Sequence, residues 1–245
     1  MSERGSAGEA RGGAHAVGFV FARGGSKELP DKNLREVGGR SLVARAVMAA
    51  REAVSLDRVV VSTDSPAIAD AARHCGAEVP FLRPTELAAD DTPEWLAWRH
   101  ALDAVEADAG QPMDVFVSVP PTAPLRLPSD IDACVARFLE GEFDAVVTVT
   151  PAARNPWFNM VVVDADGLAR RVIEPDASIK HRQAAPVVFD LTTVCYAVRP
   201  AFIREADGLF DGRVGVVDVP AERALDIDTP FDLRIAEAVC GEAAR

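Results

Sequence analysis

Ala16-Val17-Gly18-Phe19-Val20-Phe21-Ala22-Arg23-Gly24-Gly25-Ser26-Lys27-Glu28-Leu29-Pro30-Asp31-Lys32-Asn33 joins an apolar run to a basic, glycine-rich loop. The run 16–22 is short and continuous, the pattern of a strand buried on both faces. The chain carries three lysines, Lys27, Lys32 and Lys180, against 23 arginines. Two of those three lie in this one loop, which argues for a local need for compact ammonium charge. With Arg23 and the flexible Gly24-Gly25 backbone they suit a polyanion, a nucleoside triphosphate above all. The loop follows a leading strand, where open α/β sheets bind ligands. It contains neither GxxxxGK[ST] nor GxGxxG, so a P-loop and a dinucleotide site are not expected. A plain Gly-Gly turn would leave the three surrounding cations unexplained.

Working outward, strand-like and helix-like segments alternate. A helix over 41–53 places Leu42, Val43, Ala46, Val47 and Ala50 on one face. A strand over 59–61 ends in Ser62-Thr63-Asp64, and a helix over 66–73 follows with Ser65 as its cap and Pro66 at its first position. A short strand over 79–82 precedes a helix opening at Thr92-Pro93-Glu94 and carrying Leu96, Leu102 and Val105. Strands are expected at 115–119 and 145–149, with a helix between them capped by Ser129. This rhythm predicts an α/β fold with a mainly parallel sheet and helices on both faces. After Pro151 the pattern changes. Strands over 157–163 and 168–173, with a hairpin turn at Asp166-Gly167, make 151–186 a small β-rich excursion, and a strand over 193–198 follows it. Strands over 214–219 and 224–227 return, and Thr229-Pro230-Phe231-Asp232 opens the last helix.

The 245 residues, 49% hydrophobic, suffice for one large α/β domain over 15–245 behind a polar tail, 1–14, that is expected to be disordered. A net charge of −12 speaks against nucleic-acid binding. No apolar run is long enough to span a bilayer, so no membrane partner is expected. Cys75, Cys134, Cys195 and Cys240 show no zinc or redox spacing and suggest buried thiols in a cytoplasmic protein.

Three further segments carry candidate chemistry. In Leu225-Asp226-Ile227-Asp228-Thr229, period-two alternation puts both aspartates on one face, where they could hold Mg²⁺ through oxygen; a solvated strand end with a helix cap explains the same letters. Arg83 precedes a helix in Leu82-Arg83-Pro84 and could meet a base or a phosphate. Arg126 ends the stiff turn Pro120-Pro121-Thr122-Ala123-Pro124-Leu125 and could face an anion. His15, His74, His100 and His181 have no metal spacing, and the absence of a G-x-S-x-G elbow argues against serine hydrolase chemistry.

Taken together these segments resemble the CMP-acylneuraminate synthetase family, cytidylyltransferases that activate sialic-type sugar acids. The resemblance rests on 22–27 with Pro30, Lys32 and Asn33; on 61–64; on Arg83-Pro84-Thr85-Glu86-Leu87-Ala88; on 121–126; on Arg182-Gln183; and on 225–229, in that order. It implies a Rossmann-like nucleotidyltransferase that uses CTP and Mg²⁺ and releases pyrophosphate. By similarity Arg23, Gly24, Ser26, Lys27 and Lys32 would hold the triphosphate, with Arg23, Lys27 and Lys32 as its catalytic cations. Asn33 and Arg83 would bind cytidine, and Asp226 and Asp228 would carry the metal. The family is commonly a homodimer whose excursion reaches the partner's site.

The acceptor side departs from the family pattern. Pro120 stands where a glutamine is usual, Ala123 replaces a serine, and Phe189-Asp190-Leu191-Thr192-Thr193-Val194-Cys195-Tyr196 lacks the usual Asn-Gly. Glu28 replaces a glycine after the lysine. Losing polar groups suited to a hydroxyl-rich sugar favours a small anionic acceptor, a phosphonate such as phosphonoformate of the antibiotic pathways, held by Arg126, Arg182, Gln183, Thr192 and Thr193. The alternatives are CMP activation of a sialic-type nonulosonic acid, and an inactive relative that only binds a nucleotide.

Overall fold

The computed structural model describes residues 14–26, 28–174 and 184–243. Lys27, Arg182, Gln183, most of the 1–14 tail and one stretch of the 151–186 excursion therefore lie outside the described residues. Strand β1 is Ala16–Phe21, buried throughout. Its side chains alternate as a pleat requires: Ala16 and Val20 face one core, while Val17, Phe19 and Phe21 face the other. The two-residue strands β2, Glu36–Val37, and β3, Arg40–Ser41, form a small hairpin. It leads into helix α1, Leu42–Glu52, capped by the Ser41 hydroxyl. Strand β4 is Arg58–Ser62, and α2, Pro66–His74, begins with the Ser65 cap and Pro66 as expected. Then come α3, Glu94–Ala109; β5, Val115–Ser118; α4, Pro128–Glu140; and β6, Ala145–Pro151. Strands β7, Val161–Val163, and β8, Ala169–Arg171, form an antiparallel hairpin. The chain closes with β9, Phe189–Val198; α5, Pro200–Glu205; β10, Val214–Asp218; and α6, Pro230–Ala243.

The main sheet has six strands in the order β10-β6-β9-β5-β1-β4. β1 runs parallel to β4 and β5, and β10 parallel to β6; β9 runs antiparallel to both β5 and β6. Five strands thus share one direction, and the sixth enters between them from the excursion. Helices cover both faces. Residues of α1, α2 and α4 fill one core, and those of α3 and α5 fill the other around Phe19, Phe116 and Trp98. The β6–β9 register shifts between Val147 and Val149. Thr148 occupies the irregularity. Its hydroxyl accepts from Cys195 N at 3.1 Å and meets the Thr192 hydroxyl at 2.7 Å. Bulges of this kind re-aim side chains beside sites.

Several sequence expectations are corrected. No strand forms over 79–82: Glu78 makes a single bridge to Val60, and Pro80 cannot donate to a ladder. Ser129 lies inside α4, whose cap is Leu127, with the Asp130 carboxylate accepting from Leu127 N at 2.9 Å. On α3 the buried aromatics are Trp95 and Trp98, while Leu96 is exposed. Of the expected strands 157–163 and 168–173 only β7 and β8 form. Their turn is as expected, with Gly167 at φ 80° and the Asp164 carboxylate accepting from Asp166 N and Leu168 N.

The segment 224–228 is not a strand either, yet its alternation survives. Leu225 and Ile227 join Leu29, Val37, Leu42, Leu233 and Ala236 in a third, small apolar cluster. This cluster bolts the basic loop after β1 to the acidic segment before α6. Ile227 is fully buried. Ile227→Ala is therefore expected to cost about 2–5 kcal/mol in denaturant unfolding, and to depress turnover more than an equally destabilising change in the α4 core.

Candidate active site

The carboxyl ends of β1, β4 and β5 open into a cleft of about 380 Å³. The loop after β1 enters it under restraint. Gly24 N donates to Asp64 Oδ1 at 2.8 Å, and a Cβ at Gly24 would lie 3.1 Å from Ser65 Cβ, so glycine lets the loop sit against β4. Asn33 Nδ2 donates to the Arg23 carbonyl at 2.9 Å. Asp31 takes a left-handed conformation, φ 55°, and starts a single 3₁₀ turn, Lys32–Leu34. That turn carries the Lys32 ammonium to 3.1 Å from Asp228 Oδ1. Arg23 Nη1 lies 2.6 Å from Asp90 Oδ1 across the mouth. Ser26 lines the adjoining depression with Arg23, Lys32 and Asp228.

Arg83 forms part of the cleft floor. It is buried, with Nε donating to Ser62 Oγ at 3.1 Å and Nη2 to the Ser62 carbonyl at 2.6 Å, and its guanidinium sits 5.5 Å from the Phe21 ring centre. Burial lowers its pKa, opposed by the Asp64 charge. Beside it Glu94, the first residue of α3, accepts from Trp98 Nε1 at 3.2 Å. Glu94 opens onto the cleft while protein crowds it on most sides, and that crowding raises its carboxyl pKa against the pull of Trp98 and Arg83.

The opposite wall consists of Pro120, Pro121, Thr122, Thr193 and Tyr196. Arg126 and Thr192, expected to meet the acceptor, do not reach it. Arg126 is buried behind the wall, where Nη2 donates to the carbonyls of Pro120 and Thr193. Burial pushes its pKa down to about 10. Thr192 spends its hydroxyl on Thr148 at the bulge. Of the expected acceptor residues described, Thr193 alone lines the cleft.

Asp226 and Asp228 both line it, as the alternation implies. Ile227 N donates to the Thr122 carbonyl at 2.8 Å, which ties this segment to the loop after β5. Asp226 Oδ1 is buried and has no hydrogen-bond partner among the described residues. Burial raises the Asp226 pKa, and Asp228 adds to the rise; the Thr122 hydroxyl and the Lys32 charge oppose it. An orphaned carboxylate oxygen beside a second carboxylate fits a hard cation that takes its remaining oxygens from phosphates and water. No group of three or more His, Cys, Asp or Glu suited to a metal occurs among the described residues.

Sequence reasoning missed Glu94, Tyr196, Asp90 and Phe21 as cleft residues. Tyr196 was marked only as the end of the acceptor-side stretch 189–196, and Glu94 only by its place at a helix start. No helix among the described residues is long and apolar enough to cross a membrane.

Residues 17–213 match the family model described as cytidylyltransferase. The chain belongs to this family: it is a CTP-dependent nucleotidyltransferase of Rossmann-like fold. Within that class it is a CMP-acylneuraminate synthetase-like protein. It is 31% identical over 218 residues to the CMP-N,N'-diacetyllegionaminic acid synthase of Campylobacter jejuni, spanning 89% of this chain and 92% of that protein. It is 30% identical over 223 residues to the post-translational flagellin modification protein B of Campylobacter coli, spanning 91% and 94%. In fold it is similar to CMP:2-keto-3-deoxy-manno-octonic acid synthetase solved with CTP, with a TM-score of 0.66 at 17% identity over 94% of this chain and all of that one.

The Asp226 environment has a measurable signature. Because folding raises this pKa, the folded protein holds the proton more tightly than the unfolded chain. The buried charge therefore lowers stability above the folded pKa, and the penalty fades as pH falls toward the ordinary carboxylate range. Asp226→Asn is expected to melt at a higher temperature than the native protein near neutral pH without metal. The difference should shrink on acidification to about pH 4; an equal or lower melting temperature at neutral pH would contradict the assignment.

Proposed function

We propose that this cytidylyltransferase moves CMP from CTP onto a sialic-type nonulosonic acid, with release of pyrophosphate. The observation that carries this reading is the acceptor wall. It is lined by neutral side chains, Pro120, Pro121, Thr122, Thr193 and Tyr196, while Arg126 lies behind it and Thr192 is bonded into the sheet. The compact-anion cradle that favoured a phosphonate is not assembled by the described residues: of its described members Thr193 alone lines the cleft. The relatives named above point the same way: none concerns a phosphonate, and one is named for a legionaminic acid.

In the proposed reaction an acceptor hydroxyl attacks the α-phosphorus of CTP opposite the pyrophosphate. Arg23 and Lys32, with Lys27 from the same loop, neutralise the triphosphate. Asn33 and Arg83 hold the cytidine. Before substrate binds, Arg23 pairs with Asp90 and Lys32 with Asp228, so both cations are held in place by partners that the phosphates replace. Asp226 and Asp228 would hold Mg²⁺, which bound there would offset phosphate charge and lower the pKa of the attacking hydroxyl.

The excursion supports a homodimer in this reading. Val161, Val162 and Val163 of β7 are all exposed, as are Phe158, Leu168, Val187, Phe189 and Leu191. Exposed apolar side chains in such number are ordinarily covered by a partner, and we assign that role to a second copy of the chain.

Three outcomes are expected. Supplied with CTP and Mg²⁺, the protein releases pyrophosphate with N-acylneuraminic or N,N'-diacetyllegionaminic acid and not with phosphonoformate; the reverse preference would overturn the acceptor assignment. Lys32→Ala lowers the rate by about 10²–10³, in line with other electrostatic groups, with little change in melting temperature. Light scattering shows a dimer that Val161→Asp converts to a monomer.

A further inference from the structure

A cytidine-specific enzyme must tell cytosine from uracil. The two differ along one edge: cytosine offers an amine donor at C4 and an acceptor at N3, and uracil reverses both, with a carbonyl acceptor at C4 and an N–H donor at N3. An acceptor facing C4 or a donor facing N3 selects cytosine, and a carboxylate facing C4 attracts the amine and repels the carbonyl.

The cleft carries such a group where a flat heterocycle fits. Phe21, Leu87, Ala89 and Ala97 give the cleft apolar lining, and Arg83 and Glu94 are among its polar groups, with Asn33 and Thr92. Arg83 and Glu94 are both held by hydrogen bonds. Arg83 is fastened to Ser62 over the Phe21 ring. Glu94 is fastened to Trp98, whose ring lies 6.2 Å from that of Phe21. The other acidic side chains of the cleft are engaged elsewhere: Asp90 with Arg23, Asp228 with Lys32, and Asp226 at the orphaned metal-type position. The triphosphate cations Arg23 and Lys32 belong to the loop after β1, so the Arg83–Glu94 region is left for the base. Burial works against the ionised form of Glu94, and the Trp98 hydrogen bond and the Arg83 charge work for it.

We infer that Glu94 is the specificity-determining residue for the base, its carboxylate accepting from the cytosine amine while Arg83 donates to the ring's acceptor edge. The inference rests on the cytidylyltransferase activity and is independent of which acid accepts CMP. One carboxylate oxygen is held by Trp98, which leaves the other for the base. Glutamine in its place can present either its oxygen or its NH₂, so it accepts both bases.

The test compares binding of CDP and UDP by calorimetry, and turnover of CTP and UTP, for the native protein, Glu94→Gln and Glu94→Ala. The native protein is expected to prefer the cytidine nucleotides. Both variants should lose about 10–100-fold of that preference, with the acceptor KM unchanged and Glu94→Gln gaining activity on UTP. An unchanged preference in folded variants would overturn the inference. So would a changed acceptor KM with the base preference intact, because Glu94 would then be reading the sugar acid. A native protein with no preference for CTP would instead defeat the underlying activity, a separate and visible result.

Discussion

The site depends on a junction between two chain ends. The loop after β1 supplies cations, and the segment before α6 supplies carboxylates, although nearly two hundred residues separate them. What joins them is apolar: Leu29, Val37 and Leu42 from one side meet Leu225, Ile227, Leu233 and Ala236 from the other. The 3.1 Å contact between Lys32 and Asp228 follows from that packing and does not cause it, since a half-exposed ion pair contributes little by itself. Burial of a few aliphatic side chains thus sets the position of the charges on which phosphoryl transfer relies.

The same logic orders the rest of the cleft. Glycine at position 24 allows close approach to Asp64, and Asp31 accepts a left-handed backbone so that Lys32 turns inward. Arg83 is held by three contacts that it cannot leave cheaply, which makes it a fixed dipole and not a searching arm. Such preorganisation suits a reaction whose chemistry is mostly positioning and charge neutralisation. The orphaned oxygen of Asp226 is the exception, a local cost of folding that a cation would relieve.

Much of this was legible in the residues. The continuous apolar run of β1, the caps of α2 and α6, and the alternation of 225–228 all encode their local geometry through side-chain direction; Arg23, Lys32, Arg83, Asp226 and Asp228, singled out in the sequence, line one cleft. What was not legible depends on long-range pairing. Nothing local says that β9 will enter the sheet antiparallel, or that the bulge at Thr148 will claim the Thr192 hydroxyl. Arg126 reads as a cation facing a bound anion from a proline-rich turn, yet packing turns it inward to bridge Pro120 and Thr193. Glu94 looks like an ordinary first-turn acid; only the fold sets it beside Arg83, one helical turn below Trp98.

β9 has two mechanical halves. Residues 196–198 are laced to a neighbour on each side, whereas 189–191 pair with β6 alone, beyond a break in register. Thr193 stands at the changeover. Tyr196 of the same cleft wall lies in the doubly paired half, so that wall draws on both the stiffly laced and the singly paired parts of one strand.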